Sequence, residues 1–235
     1  MDEPEPAALA APARIAGVPA WRAQAHDATA LFLGRGAPRR DGEWPAPLLP
    51  PGVARAWLRQ VHSARVVVAA PGSCGEADAL VTTDRGLALL VATADCVPVL
   101  LAAEAAVAAV HAGWRGVAAG VVAAAVESLA RHGAPHELVA WIGPAIGPCC
   151  YEVGPEVAAA VAAASAAEVM RAGARGRPHV DLGRAVALQL GAAGVTRITR
   201  LPWCTRCHGE WLWSHRRDGE GAGRNLAAIW RVPLA

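Results

Sequence analysis

The sequence predicts a layered α/β domain with a mixed β-sheet, on three observations. The chain has 235 residues, 54% hydrophobic and 18% charged, which is long and apolar enough to bury a substantial core. Its central third is a succession of short apolar runs, the pattern of strands buried on both faces. Helical segments with recognisable ends occupy the second half, and strands mixed with helices in a chain of this size argue for packed layers.

Residues 1 to 20 are rich in Ala and Pro and read as a loose tail, leaving 21–235 as one domain with no internal repeat or linker. Residues 34–52 carry several Gly and Pro and read as a loop. Strands are expected at Ala56–Val61, Arg65–Ala69 (with the β-branched run Val66-Val67-Val68), Ala79–Thr83, Leu87–Ala92, Val97–Ala102 and Ala106–His111. A helix over Arg115–His132 closes at Gly133, with Arg131 and His132 in its last turn. Leu138–Ile142 reads as a strand. Pro155–Arg171 starts with Pro near N1 and stops before Gly173, as a helix does. Asp181 is an N-cap for a helix running to Gly191 or Gly194, and strands follow at Val195–Leu201 and Leu226–Trp230.

Composition narrows the function. The formal charge is +2, and the run Arg35, Arg39, Arg40 is broken by Asp41 and Glu43, so a solvated loop and no nucleic-acid partner are expected. All 22 basic residues are Arg, and the excess of Arg and Ala reads as genomic base composition. No uninterrupted apolar run approaches the roughly 18 residues of a membrane span. The opening Met1-Asp2-Glu3-Pro4-Glu5-Pro6 is acidic, the opposite of a signal peptide, so a cytoplasmic protein with reduced thiols is expected.

Three potential metal ligands fall at strand edges: His62, Cys96 and His111. Their intervals of 34 and 15 residues are too long for a zinc finger and suit a site assembled by the fold. Two neutral imidazoles and a thiolate would leave zinc a fourth, open position, the mark of a catalytic site. Each residue taken singly has an ordinary structural reading. After His111, Gly113 and Gly116 bracket Trp114-Arg115 ahead of a helix. Either a strand–turn–helix presents N–H groups and the Arg115 guanidinium to a phosphate, or it is a tight turn with Arg115 in an ion pair. Cys204-Thr205-Arg206-Cys207-His208 matches a c-type haem attachment pattern, but without an export signal a redox pair or a structural Cys–His pair is the better expectation.

Together these segments resemble the YfiH-like family, whose members carry the labels laccase-domain protein, polyphenol oxidase and purine nucleoside phosphorylase. The matching stretches are Gln60-Val61-His62, Ala77-Asp78-Ala79-Leu80-Val81-Thr82, Thr93-Ala94-Asp95-Cys96-Val97-Pro98, His111-Ala112-Gly113-Trp114-Arg115-Gly116 and the run Ile142 to Gly154. Trp213 to Gly219 with Gly223-Arg224 resembles the closing motif. The match runs in order from about residue 56 to 231. The resemblance implies a three-layer α/β sandwich related to the cytotoxic necrotising factor-type fold. It also implies zinc on His62, Cys96 and His111, phosphorolysis of adenosine, inosine, guanosine and methylthioadenosine, and deamination of adenosine. Two departures stand out. The Thr-Arg-x-Gly-Gly-like N-terminal segment is shortened here to Leu31–Pro38, where Arg35 is a substitute at most, and His215 occupies an aromatic position.

Phosphorolysis puts positive charge on the ribose and negative charge on the departing purine, so phosphate must be held under C1′ and the base must receive a proton. Deamination needs hydroxide at C6, which a Lewis acid provides. Arg115 is the expected phosphate ligand. Asp78 and Asp95 are expected to transfer protons or orient His. Arg59, Cys149, Tyr151 and Arg216 are expected around the substrate, with Tyr151 stacking on the base.

Three other readings compete. Two His and a Cys also suit a copper centre, and copper binds such ligands tightly. Full laccase chemistry draws on paired His-x-His ligands, which the eight His of this chain do not supply. A cysteine hydrolase or deamidase would use Cys96 as nucleophile and His111 as base. A non-catalytic metal-binding module would hold zinc and turn over nothing.

Overall fold

The structure is a computed structural model that describes residues 12–45, 47–173 and 176–233. The chain forms β1 (Ala13–Ile15), β2 (Val18–Ala25), β3 (Ala28–Leu33), β4 (Ala54–Arg59), β5 (Val66–Val68), β6 (Gly72–Glu76), β7 (Ala79–Thr82), β8 (Leu87–Thr93), β9 (Val97–Ala102) and β10 (Val107–Ala112). There follow α1 (Trp114–Ala118), α2 (Val121–Leu129), β11 (Val139–Ile142), α3 (Pro155–Ala163), β12 (Met170–Ala172), β13 (Pro178–Val180), α4 (Leu182–Ala192), β14 (Arg197–Arg200), α5 (His215–Asp218) and β15 (Asn225–Arg231).

Two mixed sheets carry the fold, where the sequence predicts one. The first has the order β1-β2-β3-β15-β8-β4-β6 and the second β14-β11-β9-β10-β7-β5. Parallel pairs such as β4 with β8 adjoin antiparallel ones such as β15 with β8. Leu80, Leu89, Val91, Leu100 and Ile229 fill the space between the sheets. Val99, Leu101 and Val110 face the opposite way, onto Val121, Val126 and Val186 of the helices. The second sheet is therefore a middle layer, which explains why its strands read as unbroken apolar runs.

Among the described residues, no helix lies over the outer face of the first sheet. Leu31, Leu33, Leu90 and Trp230 are covered there by Leu48 and Leu49, with Trp44 packed alongside. The segment after β3 is thus irregular, as its Gly and Pro predict, yet it is bound to the core.

Three sequence expectations need correction. Residues 1–11 of the expected loose tail lie outside the described residues, but Ala13–Ile15 pairs with Val18–Ala20 and buries Val18 and Ala20. The helix expected over 115–132 is cut at Gly120, whose φ of 84° is left-handed. The helix expected over 155–171 stops at Ala163. Ser165 donates its hydroxyl to the Val161 carbonyl (2.7 Å), and the chain then turns to form β12 against β13. Asp181 does cap α4, accepting from the Arg184 N–H at 2.9 Å.

Candidate active site

His62 lies three residues beyond β4, Cys96 immediately precedes β9, and His111 sits within β10. The two sheets bring them together although they are distant in sequence. Each offers one donor atom, and the three atoms lie within 4.8 Å of one another. The imidazole centroids are 4.9 Å apart at an interplanar angle of 67°. His111 is buried, Cys96 half-buried and His62 exposed, so the set opens on one side.

Asp78 holds this arrangement from beneath. It is fully buried at the entrance to β7. Its Oδ1 accepts from His111 Nδ1–H (2.8 Å) and the His62 N–H (3.0 Å). Its Oδ2 accepts from the Ser63 N–H (2.6 Å), the Ser63 hydroxyl (2.8 Å) and the Val61 N–H (3.3 Å). Burial works to raise the Asp78 pKa, but the bonds from His111 and Ser63 outweigh it and hold the carboxyl far below the usual carboxylate range. Burial likewise opposes a charged His111, and the Asp78 and Cys96 contacts overcome it, pushing His111 up to about 9. With Nδ1 committed to Asp78, Nε2 is the nitrogen left for Cys96 or a cation. Desolvation and then His111 hold His62 below its ordinary value, toward the neutral imidazole that a metal ligand needs.

The backbone is strained at two points here. His62 has φ 60° and Asp95 φ 92°, left-handed values that cost about 1–3 kcal/mol each in non-glycine residues. The three N–H bonds to Asp78 hold the first. Asp95 holds the second through its carbonyl, which accepts from the Ile146 N–H (3.0 Å). Its Oδ1 accepts from the Thr205 hydroxyl (2.5 Å) and its Oδ2 from the Arg216 N–H (2.7 Å).

Gly113 is needed for space. A Cβ there would lie 3.0 Å from His62 Cε1 and 3.2 Å from Cys96 Sγ, with His62 Nδ1 closer still. A Cβ at Gly116 would lie 3.2 Å from the Ser63 carbonyl oxygen. Both glycines therefore let α1 approach the 61–63 turn. Two imidazoles and a thiol at this spacing, one tautomer fixed by a carboxylate and one side open, fit a divalent cation of the zinc class.

The trio lies in the wall of a cleft of about 930 Å³. Arg59, Tyr151 and Arg216 line it, as does Asp95. Arg59 pairs with Glu76 at 2.8 Å. The Arg216 guanidinium donates to the Glu152 carbonyl (2.9 Å) and stands 5.5 Å from the Tyr151 ring centre. Burial, and then the nearby Cys96, push Tyr151 up to about 12, so its phenol stays protonated near neutral pH.

The remaining expected residues are engaged differently. Asp78 is fully buried and does not line the cleft; it bonds to the His111 ring and to the backbone of the 61–63 turn. Asp95 hydrogen-bonds to neither histidine; its two oxygens tie Thr205 and Arg216. Arg115 is exposed over the Trp114 ring (4.5 Å), on a five-residue helix, and does not line the cleft. Cys149 does not line it either and lies instead with Cys150, Cys204 and Cys207. Arg35 is engaged structurally, 3.6 Å over Trp213 and 3.1 Å from Asp218. Sequence reasoning missed Arg39, Arg40, Trp213, His215 and Arg224 as lining residues. For the first two the only signal was arginine in a loop, which also describes a solvated surface.

The family described as multi-copper polyphenol oxidoreductase laccase matches residues 49–232. Purine nucleoside phosphorylase PA4543 of Pseudomonas aeruginosa is 41% identical over 180 residues, covering 74% of this chain and 73% of that protein. Adenosine deaminase RL5, from an unknown prokaryotic organism, is 38% identical over 74% of this chain and 73% of its own. Purine nucleoside phosphorylase YfiH of Escherichia coli is also 38% identical, over 75% and 73%. Among solved structures, YlmD from Geobacillus stearothermophilus superimposes with a TM-score of 0.74 at 34% identity, covering 78% of this chain and 75% of its own. Neisseria meningitidis NMB0706 gives 0.78 at 29% identity, over 91% and 99%. With the fold, the His–Cys–His set and the sequence matches in agreement, the chain belongs to the YfiH-like, laccase-labelled family.

Proposed function

We propose that the cleft is the active site of a zinc-dependent purine nucleoside phosphorylase that also deaminates adenosine. The convergence of His62, Cys96 and His111 within 4.8 Å carries this reading. The relatives' names supply the substrate class. A divalent cation on these three residues would supply a Lewis acid with one open position for a substrate or water oxygen.

The chain's own groups do the rest. Asp78 fixes the His111 imidazole and the backbone of the 61–63 turn that carries His62, and leaves His111 Nε2 for the site. Tyr151 offers a ring to the purine and a phenol that stays protonated, able to donate a hydrogen bond to the departing base. Arg216 and Arg59 supply positive charge for phosphate from the cleft wall. In phosphorolysis the C1′–N9 bond breaks, a phosphate oxygen bonds to C1′, and the base leaves with a proton. In deamination water adds at C6 and ammonia departs. Copper is the alternative occupant. A multi-copper oxidase would need more sites, and among the described residues the only other candidate cluster is all cysteine.

One observation favours a second reading. Asp78 hydrogen-bonded to His111, with Cys96 beside that ring, is also the constellation of a metal-free cysteine nucleophile. Incubation with adenosine, with and without phosphate, and chromatographic separation of adenine from inosine tests the main reading. Adenine formed only with phosphate, or inosine formed without it, supports it; a zinc-loaded protein giving neither overturns it. Zinc that shields Cys96 from alkylation excludes the metal-free nucleophile.

A further inference from the structure

We propose that Cys149, Cys150, Cys204 and Cys207 hold a second divalent cation, zinc, in a closed structural site. The four sulfurs lie within 4.8 Å of one another. Cys150 Sγ is 3.4 Å and Cys149 Sγ 3.6 Å from Cys207 Sγ. A tetrahedron with Zn–S bonds of about 2.3 Å has edges of about 3.8 Å, so these spacings need only small adjustments. All four are free thiols, not disulfides.

The surroundings fit the same purpose. The ligands come in two pairs from two loops: the adjacent Cys149 and Cys150 between β11 and α3, and the C-x-x-C pair 204–207 between β14 and α5. C-x-x-C is a common zinc-ligand spacing. The loops are joined by the Thr205 N–H to the Ala145 carbonyl at 3.0 Å. Gly147 donates its N–H to Cys204 Sγ (3.2 Å), the kind of bond that steadies a thiolate ligand. A Cβ at Gly147 would lie 3.3 Å from Cys149 Sγ and 3.2 Å from Cys204 Cβ, so the residue makes room for the sulfurs. Four protein donors leave no open position, which makes the site structural. On binding, the thiol protons pass to solvent.

Its work would be felt at the cleft. One loop leads from Cys150 directly into Tyr151. The other leads from Cys204 into Thr205, whose hydroxyl holds Asp95 beside Cys96. The cation would staple the two loops together from behind.

The test is zinc content per chain, by elemental mass spectrometry on the full-length protein purified under reducing conditions. It compares wild type, Cys96→Ala and the double variant Cys149→Ser/Cys207→Ser. Cys149 and Cys207 are both exposed, so their replacement leaves no gap in the core. About two zinc per chain in wild type is expected, and about one in either variant. Cobalt-loaded Cys96→Ala should show the intense visible bands of a tetrahedral all-sulfur site. If wild type holds one zinc that the double variant loses and Cys96→Ala keeps, this site stands and the proposed catalytic zinc fails. The proposal is overturned if folded Cys96→Ala, checked by circular dichroism, holds no zinc. It is equally overturned if mass measurement finds these cysteines already paired as disulfides.

Discussion

The chain gathers soft ligands in two places, and the two are built in opposite ways. At His62, Cys96 and His111 there are three donors, a saturated carboxylate behind them and two left-handed residues in the adjoining backbone. At Cys149, Cys150, Cys204 and Cys207 there are four donors, none of them in the left-handed region. The first faces a cleft and the second joins two loops. Strain and a supporting carboxylate accompany the open set, where a cation would need ligand direction fixed while one position stays free. The proposed closed set would need neither, because four metal–sulfur bonds would determine their own geometry.

The sharpest way to break this contrast is Cys96→Ala. Loss of a Lewis acid worth several kcal/mol should reduce kcat/KM for adenosine by roughly 10³-fold, with little change in thermal midpoint. Steady-state rates and a melting curve measure both.

Asp78→Asn should damage the fold and the site together. An amide would set N–H against N–H at the 61–63 turn, so about 3–5 kcal/mol of stability is expected to go, read by denaturant titration. Zinc affinity should fall about 10–100-fold. The same variant should alter the acid limb of stability in metal-free protein. The folded Asp78 pKa lies below its unfolded value of 3.8, so its contribution is present above that pH and fades as pH falls through the folded value. In the variant that loss disappears and the limb flattens.

Gly113→Ala crowds His62 and Cys96 and should cost about 1–3 kcal/mol, with weaker zinc binding in a competition titration. Cys207→Ser should have the smallest catalytic effect. A lower melting point with kcat reduced by less than about 10-fold would fit a staple; a loss as deep as that of Cys96→Ala would erase the distinction between the two regions.

Much of the middle layer was legible in the sequence. Val97–Ala102 is a strand over its expected range, because a strand buried on both faces has no polar interruption to blur its ends. The Asp181 cap was legible because capping is local chemistry. Gly120 was read through because Ala118-Ala119 before it and Ala123–Ala125 soon after it support helix, and only the left-handed turn reveals the break. β1 and β2 were hidden because Ala and Pro composition says nothing about partners, which here are supplied by tertiary pairing. At the site, the ligand trio could be proposed from residue type and strand edges. The grip of Asp78 on the 61–63 turn could not, since it depends on β7 lying beside that turn. The grouping of the four cysteines was equally invisible, because 54 residues separate Cys150 from Cys204 and no periodicity links them.

The segment that follows β3 has a double attachment. Its Arg39 and Arg40 form part of the rim of the cleft, while Leu48 and Leu49 seal the outer apolar face of the first sheet. Arg40 also donates to the Leu58 carbonyl at 2.8 Å, at the end of the strand that leads to His62. Selectivity therefore cannot drift here as it does on a free surface loop. Transplanting a relative's rim into this position without its leucines would uncover oily surface, and a specificity swap would surface first as poor expression rather than as a new substrate.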